Sequence, residues 1–254
     1  MRNILIIQPF NSVFYIFIGT VFILTMILTY FLSKKDGETR RKIMIVVTVI
    51  IAIFLLFYKS SYRLDQEFIN DYSKYWGEYT ILNELPINPC NIVLLLLPIG
   101  LWKKSDYCLS YCVYMGLIAT LIAVCVPQQG YAGYYVFKWH TFGFFLLHSL
   151  GVFIPASIVI LKLYIPKYKD IFKATAVLLI STIISYFVSI FLRKAGLCEF
   201  ANYSFTMDPE GNPVLGFFYK LIPVKGLYLL GALIIFLPVS ALIVTLCRAI
   251  NKGR

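Results

Sequence analysis

Residues 141–165 read TFGFFLLHSLGVFIPASIVILKLYI and carry a single charge, at Lys162. A helix of this length can cross the roughly 30 Å hydrocarbon core of a bilayer at about 1.5 Å of rise per residue. The whole chain has the same character, because 60% of its 254 residues are hydrophobic and 14% are charged. Soluble domains carry about 25% charged residues. We therefore predict a membrane protein and exclude a soluble enzyme, a nucleic-acid-binding module and a disordered chain.

Similar apolar stretches recur along the sequence, without an internal repeat or a separate soluble domain between them. We predict seven membrane-spanning helices, at Phe10–Leu32, Ile43–Tyr58, Leu85–Trp102, Tyr107–Val126, Thr141–Ile165, Ala174–Leu192 and Leu227–Cys247. The third is short and contains three prolines, which favours a broken or kinked helix. The predicted fold class is thus all-α, a polytopic helix bundle. Residues 1–254 would form a single multi-pass domain in the cell membrane.

The net charge of +11 is unevenly divided between the two predicted sides of the membrane. The side with the N-terminus and the loops after spans two, four and six carries 9 bases and 8 acids. The opposite side carries 14 bases and 4 acids. Because Lys and Arg are enriched in cytoplasmic loops, we predict the N-terminus outside and the C-terminus inside. The basic excess then reflects orientation and requires no nucleic-acid partner.

Two long loops, 59–84 and 193–225, fall on the predicted outer side. In the first, apolar and aromatic residues at positions 64, 68, 72, 75, 76 and 79 recur at helical spacing, which indicates a helix lying in the membrane interface. This helix is either an aromatic belt that anchors spans two and three or part of a lid over an outward-facing site.

Few reactive groups remain inside the spans. No acid lies in the middle of any predicted span, whereas ion-coupled transporters usually need buried carboxylates. The sequence also lacks a CxxC pair, an HExxH motif and a phosphate-binding glycine loop, so we predict neither a metal nor a cofactor. The remaining candidates are Cys90 in the third span and His148 in the fifth, while His140 is predicted to be an interface residue.

Cys90 and His148 suit a nucleophile and its acid/base partner. A thiolate can attack an acyl carbonyl while imidazole accepts the thiol proton, and the start of a helix favours the thiolate. Asn88 and Asn91 are candidate donors to a developing oxyanion, and Asn202 is a further candidate for polar support. The alternative for Cys90 is a packing residue, which is the commonest role of cysteine in an apolar helix.

Three short motifs carry a resemblance to a known family. Glu84-Leu85-Pro86 with Cys90-Asn91, then Phe144-Phe145-Leu146-Leu147-His148, then Asn202-Tyr203 resemble the bacterial YwaF-type integral membrane family. That family is similar to the eukaryotic transmembrane acyltransferase that remodels ether phospholipids and, more distantly, to androgen-induced membrane hydrolases. The resemblance runs from about span three to the C-terminus. It implies a helical bundle with Cys90 as nucleophile and His148 as its partner. The family commonly has a histidine where this chain has Asn88.

We therefore predict a lipid-modifying membrane enzyme that transfers or hydrolyses a fatty acyl group through a Cys90 thioester. Its partners would be membrane lipids, with no nucleic acid. The alternative is a non-catalytic membrane protein that binds or transports an apolar ligand. Geometry separates the two hypotheses. A Cys90 Sγ within about 4 Å of the His148 ring would favour the enzyme, whereas side chains that face lipid or separate cavities would favour binding.

Overall fold

A computed structural model of the protein describes residues 5–127 and 131–252. The described residues outside the loops are almost entirely helical. The helices are α1 (Ser12–Ser33), α2 (Gly37–Ser61), α3 (Gln66–Trp76), α4 (Pro89–Lys103), α5 (Asp106–Met115), α6 (Leu121–Cys125), α7 (Trp139–Ile160), α8 (Tyr168–Lys194), α9 (Pro213–Leu221) and α10 (Leu233–Lys252). A π-helical turn at Gly116–Thr120 joins α5 to α6, and short 3₁₀ turns occupy Tyr62–Leu64, Ile81–Glu84, Tyr203–Phe205 and Leu227–Ala232.

Two short strands pair across the N-terminal and central parts of the chain. Strands β1 (Ile6–Ile7) and β2 (Tyr134–Tyr135) are antiparallel, with Ile6 opposite Tyr135. Arg2 and Arg254, which contribute to the charge count that predicts orientation, lie outside the described residues.

Within residues 5–127 and 131–252, six helices are long and apolar enough to cross a membrane, and each matches a predicted span. They are Ser12–Ser33, Gly37–Leu64, Asp106–Cys125, Trp139–Ile160, Tyr168–Lys194 and Leu227–Ala249. The remaining predicted span is the shorter apolar helix α4, with 15 residues. The all-α polytopic bundle is thereby confirmed, with six long helices and one short helix.

The short helix α4 begins at Pro89, four residues later than predicted. Asn88 precedes it in an extended conformation, with φ −73° and ψ 150°. A residue before proline is sterically disfavoured in the α region, while proline itself suits the first position of a helix. The Pro89 ring therefore sets the helix boundary, and Cys90 becomes the second helical residue.

Helix α4 lies at the centre of the bundle, in contact with α2, α5, α7 and α8. Helix α1 packs on α7, and α10 packs on α8. The crossing of α7 with the π-helical turn is especially close, because a Cβ added to Gly116 would lie 2.7 Å from the carbonyl oxygen of Gly151. This crossing fixes the height of α7, and hence of His148 one turn earlier, relative to the α4–α5 pair.

The surface of the bundle is suited to lipid. Large apolar side chains are exposed along the outer helices, among them Phe22, Ile23, Ile183, Phe187 and Leu242. Several hydroxyl side chains instead point inward. The hydroxyls of Thr25, Thr29, Thr48 and Ser189 are buried, and each donates to the carbonyl oxygen four residues earlier in its own helix. This distribution satisfies polar groups internally, as a membrane-embedded bundle requires.

Candidate functional site

A cavity of about 120 Å³ lies at the end of the bundle where the loops after α2, α6 and α8 meet. Under the predicted orientation this is the outer end. The cavity is large enough to hold several water molecules. Its walls include all five candidate residues of the sequence analysis: Asn88, Cys90, Asn91, His148 and Asn202.

Cys90 lies in the first turn of α4, where backbone N–H groups have no partners within the helix. Pro89 has no N–H, and the N–H groups of Asn91 and Ile92 both donate to the carbonyl oxygen of Asn88, at 2.9 and 3.0 Å. The N–H of Cys90 reaches no oxygen acceptor among the described residues and lies beside the Sγ of its own side chain. No oxygen atom of the protein therefore competes for this backbone donor, which is on the same residue as the thiol.

His148 is held in one tautomer by its own helix. Its Nδ1 lies 2.8 Å from the carbonyl oxygen of Phe144, and a carbonyl oxygen can only accept a hydrogen bond. Nδ1 must therefore carry a proton, which leaves Nε2 as the basic nitrogen of the neutral ring. The ring also packs against Phe144, with centroids 4.2 Å apart, and Phe144 in turn stacks on Tyr131.

Cys90 and His148 share the cavity, but neither hydrogen-bonds the other within the described part of the chain. The Cys90 Sγ is 3.9 Å from Oδ1 of Asn91, and the histidine donates to Phe144. Catalytic contacts are commonly long without substrate and can pass through one water molecule. The two side chains line one cavity, so the separate cavities that would favour the binding hypothesis are not found. The direct Cys90–His148 contact that would favour the enzyme hypothesis is not among the hydrogen bonds of the described residues either.

The side-chain amides of the three asparagines have different hydrogen-bond partners. Oδ1 of Asn88 accepts the backbone N–H of Ser204 at 2.7 Å, so its amide NH₂ is the end that remains available. Asn91 is 5% exposed, and its side chain lies beside the thiol. Asn202 instead organises its own loop, since its amide donates to Asp208 O and Glu210 Oε1. Asn88 and Asn91 are the better placed donors.

The cavity wall contains an ion pair that the sequence does not predict. Nζ of Lys59 lies 2.6 Å from Oε2 of Glu84, with side-chain exposures of 15% and 5%. From the sequence, Lys59 is one of the outer bases and Glu84 belongs to a family motif, and nothing pairs the two. The available signal was their position at the ends of two spans, where a basic and an acidic residue can meet once the helices pack side by side.

Helix α3 covers one side of the cavity. Its residues Phe68, Asp71 and Tyr72 line the cavity wall, and Phe68 is 3% exposed. The Phe68 ring packs against Tyr62, with centroids 4.5 Å apart. Burial raises the pKa of the Tyr72 phenol above its ordinary value, so this hydroxyl stays neutral. The predicted interface helix is thus present over the site, and the side chains at 75 and 76 lie outside the described residues.

The sequence predicts His140 as an interface residue, but the structure buries it inside the protein. It is 1% exposed, and its Nδ1 lies 2.8 Å from Oδ2 of Asp65. Asp65 also caps α3 by accepting the N–H of Phe68 at 3.0 Å. The first residues of α7 are buried under α3, so a histidine near the end of a span becomes part of the contact that holds α3 in place.

The described residues contain no group of three or more His, Cys, Asp or Glu side chains that could hold a metal ion. A family model described as the TMEM164 family matches residues 8–244, which include every residue of the cavity. Comparison with curated proteins and with solved structures gave no match.

Proposed function

We propose that this chain, which belongs to the TMEM164 family, is a lipid-modifying membrane enzyme that transfers or hydrolyses a fatty acyl group through a Cys90 thioester. The observation that carries the proposal is that Cys90 and His148 line one cavity, with the histidine tautomer fixed by Phe144. The motifs that resemble the YwaF-type family and the eukaryotic ether-phospholipid acyltransferase contain these same two residues, which supports the proposal.

In the first half-reaction, His148 Nε2 accepts the thiol proton of Cys90 as the sulfur attacks the carbonyl carbon of an acyl ester. The new S–C bond produces a tetrahedral intermediate with a negative oxygen. The ester C–O bond then breaks, and the imidazolium returns its proton to the departing alcohol oxygen. The products are a thioester on Cys90, a neutral His148 and a deacylated lipid.

The second half-reaction reverses these proton transfers. An acceptor hydroxyl, from a lysolipid or another alcohol, attacks the thioester while His148 Nε2 takes its proton. When the tetrahedral intermediate collapses, the S–C bond breaks and the proton returns to sulfur. Water in place of the alcohol gives hydrolysis.

Three donors would stabilise the intermediate. The backbone N–H of Cys90 has no oxygen acceptor among the described residues, and the side chains of Asn88 and Asn91 line the cavity, which supports this role. Removing a single oxyanion donor typically slows acyl transfer by about 10²–10³-fold. The dipole of α4 adds a positive potential at the same point.

A non-catalytic site for an apolar ligand is the second candidate. It is favoured by the hydrogen bonds of Cys90 and His148, which go to Asn91 and Phe144 and not to each other. The polar wall, which includes Lys59, Glu84 and Asn88, fits an apolar ligand less well.

The test is covalent trapping with a phospholipid that carries an alkyne-tagged acyl chain. Purified protein is incubated with the lipid and labelled through the alkyne, and hydroxylamine is used to identify a thioester. We expect a hydroxylamine-sensitive label on the wild type and none on Cys90→Ala. Cys112→Ala is the matched control, because Cys112 is buried away from the cavity with its Sγ on Val93 O. Equal labelling of the wild type and Cys90→Ala would overturn the nucleophile assignment.

A further inference from the structure

The loop after α8 dips back into the bundle with a strained backbone at its deepest point. Ser204 and Phe205 are consecutive non-glycine residues with φ of 55° and 59°, and Ser204 is 5% exposed. L-residues rarely adopt this left-handed conformation, and it persists only where the surroundings impose it. Such strain clusters at functional sites, so the contacts that impose it are informative.

The contacts of Ser204 are directed at the two residues before α4. Its Oγ lies 3.1 Å from the carbonyl oxygen of Ile87 and 2.9 Å from Oγ of Ser185 on α8. Ser185 Oγ lies 3.0 Å from the same carbonyl. The backbone N–H of Ser204 donates to Oδ1 of Asn88 at 2.7 Å. The loop thus holds the entry of α4 through both the backbone and the side chain of one residue.

This contact displaces Asn88 from the usual role of its position. Asn88 is the N-cap of α4, where an asparagine side chain normally accepts a backbone N–H from the second or third helical residue. In this chain those residues are Cys90 and Asn91. The Asn88 side chain makes no such capping bond, and its oxygen is directed at the N–H of Ser204 instead. The N–H of Cys90 is thereby left without an oxygen acceptor and lies beside its own sulfur.

We propose that Ser204 is a positioning residue for the acyl-transfer site: it draws the Asn88 oxygen away from the helix cap, so that the Cys90 N–H and the Asn88 amide NH₂ can both bind an oxyanion. The inference rests on the proposed function, since it assigns the donors of that same site. It predicts that acylation of Cys90, which passes through an oxyanion, depends on Ser204. Alkylation of the same thiol by iodoacetamide releases iodide through no oxyanion and should not depend on it.

The sharpest comparison is between Asn88→Ala and Asn88→Ser. Both remove the amide NH₂, but serine is a good N-cap whose short side chain can bond the Cys90 N–H. We expect Asn88→Ser to be the more stable variant and yet to acylate Cys90 about tenfold or more slowly than Asn88→Ala. Iodoacetamide should alkylate the two at rates within about twofold of each other. Equal acylation rates, or an equal fall in acylation and alkylation, would overturn the proposal.

Substitutions at Ser204 give the second test. Valine is β-branched and strained at a φ of 55°, so Ser204→Val should release Asn88 and slow acylation by about tenfold or more. Glycine accepts this φ and keeps the N–H, so Ser204→Gly should recover most of the rate lost in Ser204→Val. Thr175→Val is the matched control on the same helix, because the hydroxyl of Thr175 donates to Ile171 O one turn earlier and lies outside the cavity wall.

The acyl donor for these rates is a p-nitrophenyl ester of a medium-chain fatty acid, and acylated Cys90 is counted by mass spectrometry. A wild-type protein that alkylates at Cys90 but never acylates would reject the proposed function itself. A wild type that acylates normally, together with equal rates for Ser204→Val and Ser204→Gly, would reject only the role of Ser204.

Discussion

The Nδ1–H of His148 donates to the carbonyl oxygen of Phe144 at 2.8 Å, one helical turn earlier on α7. This contact leaves Nε2 as the nitrogen that can act as a base. The spacing of four residues on one helix is enough to allow this hydrogen bond. The packing of α7 against α4 is what brings the His148 ring into the same cavity as Cys90.

His148→Asn is expected to keep the fold and lose the chemistry. The asparagine NH₂ can replace Nδ1–H as the donor to Phe144, but no basic nitrogen replaces Nε2. We expect the rate of acyl transfer to fall by about 10²–10⁴-fold, with a melting temperature within a few degrees of the wild type. Thioester formation measured by mass spectrometry checks the rate. A variant that acylates at the wild-type rate would exclude His148 as the base.

Gly143→Ala is expected to destabilise the bundle. A Cβ at this position would lie 2.1 Å from a ring carbon of Tyr58, and Tyr58 is buried with its hydroxyl bonded to the carbonyl oxygen of His140. Forcing the two helices apart should cost about 1–3 kcal/mol. Gly19→Ala is the control, since no atom lies within 4 Å of its added Cβ. Thermal unfolding in detergent should lower the melting temperature of Gly143→Ala alone.

The contributions of Lys59 and Glu84 to the free energy of unfolding are expected to depend on each other. Removing one partner of a buried ion pair leaves an uncompensated charge, at about 3–5 kcal/mol. Lys59→Met and Glu84→Gln should therefore each destabilise the protein strongly, and the double variant should be less destabilised than the sum of the two. Denaturant unfolding of the four proteins gives the coupling energy. Strictly additive effects would show that the contact contributes nothing to stability.

The docking of α3 is expected to be lost in acid. Hydrogen bonds from Lys74 and then Tyr134 hold the pKa of Asp71 below its ordinary value, which is about 3.9. A lowered folded-state pKa means that the contribution to stability is complete above the unfolded pKa and disappears as pH falls through the folded one. Hydrogen exchange in α3 should thus be constant from pH 5 to 8, after correction for intrinsic rates, and protection should fall below about pH 4.

Asp71→Asn provides the control for this acid effect, because asparagine does not titrate. Its α3 protection should be weaker than that of the wild type at neutral pH and should change little on acidification. An unchanged acid response in Asp71→Asn would assign the effect to another carboxyl group.

The orientation of the bundle is open to a direct test. With 14 bases on one predicted side and 9 on the other, the positive-inside rule predicts that the C-terminus lies in the cytoplasm. A reporter active only in the cytoplasm should therefore be active when fused after Arg254, and a periplasmic reporter should be silent. The opposite pattern in stably expressed fusions would place the cavity on the inner side of the membrane.

The sequence determined the helical bundle for a simple physical reason. In a bilayer every backbone polar group must be satisfied within the chain, so an apolar stretch such as residues 141–165 can only be a helix or lie in a protected interior. Local chemistry also marked the start of α4, since Pro89 fits the first helical position. The four-residue difference from the predicted start arose because hydropathy continues through Leu85 and Ile87, although proline sterics prevent helix there.

The pairing of the site could be proposed from the sequence only with the assumption that spans three and five are neighbours. Tertiary structure supplied that contact, because α4 packs directly on α7, and it also brought Lys59 to Glu84. These contacts join residues that are 25 or more positions apart, and nothing in a hydropathy pattern encodes which helix faces which. The same limit explains His140, whose burial depends on where α3 docks.

The sequence itself determined the candidate residues and the membrane spans, because solvation in a membrane and backbone sterics act locally. The tertiary structure alone decided that Ser204 holds Asn88, since their 2.7 Å hydrogen bond joins two loops 116 positions apart. This hydrogen bond is strong because the packed bundle excludes water from it. A local sequence pattern does not show which two loops will meet in that way.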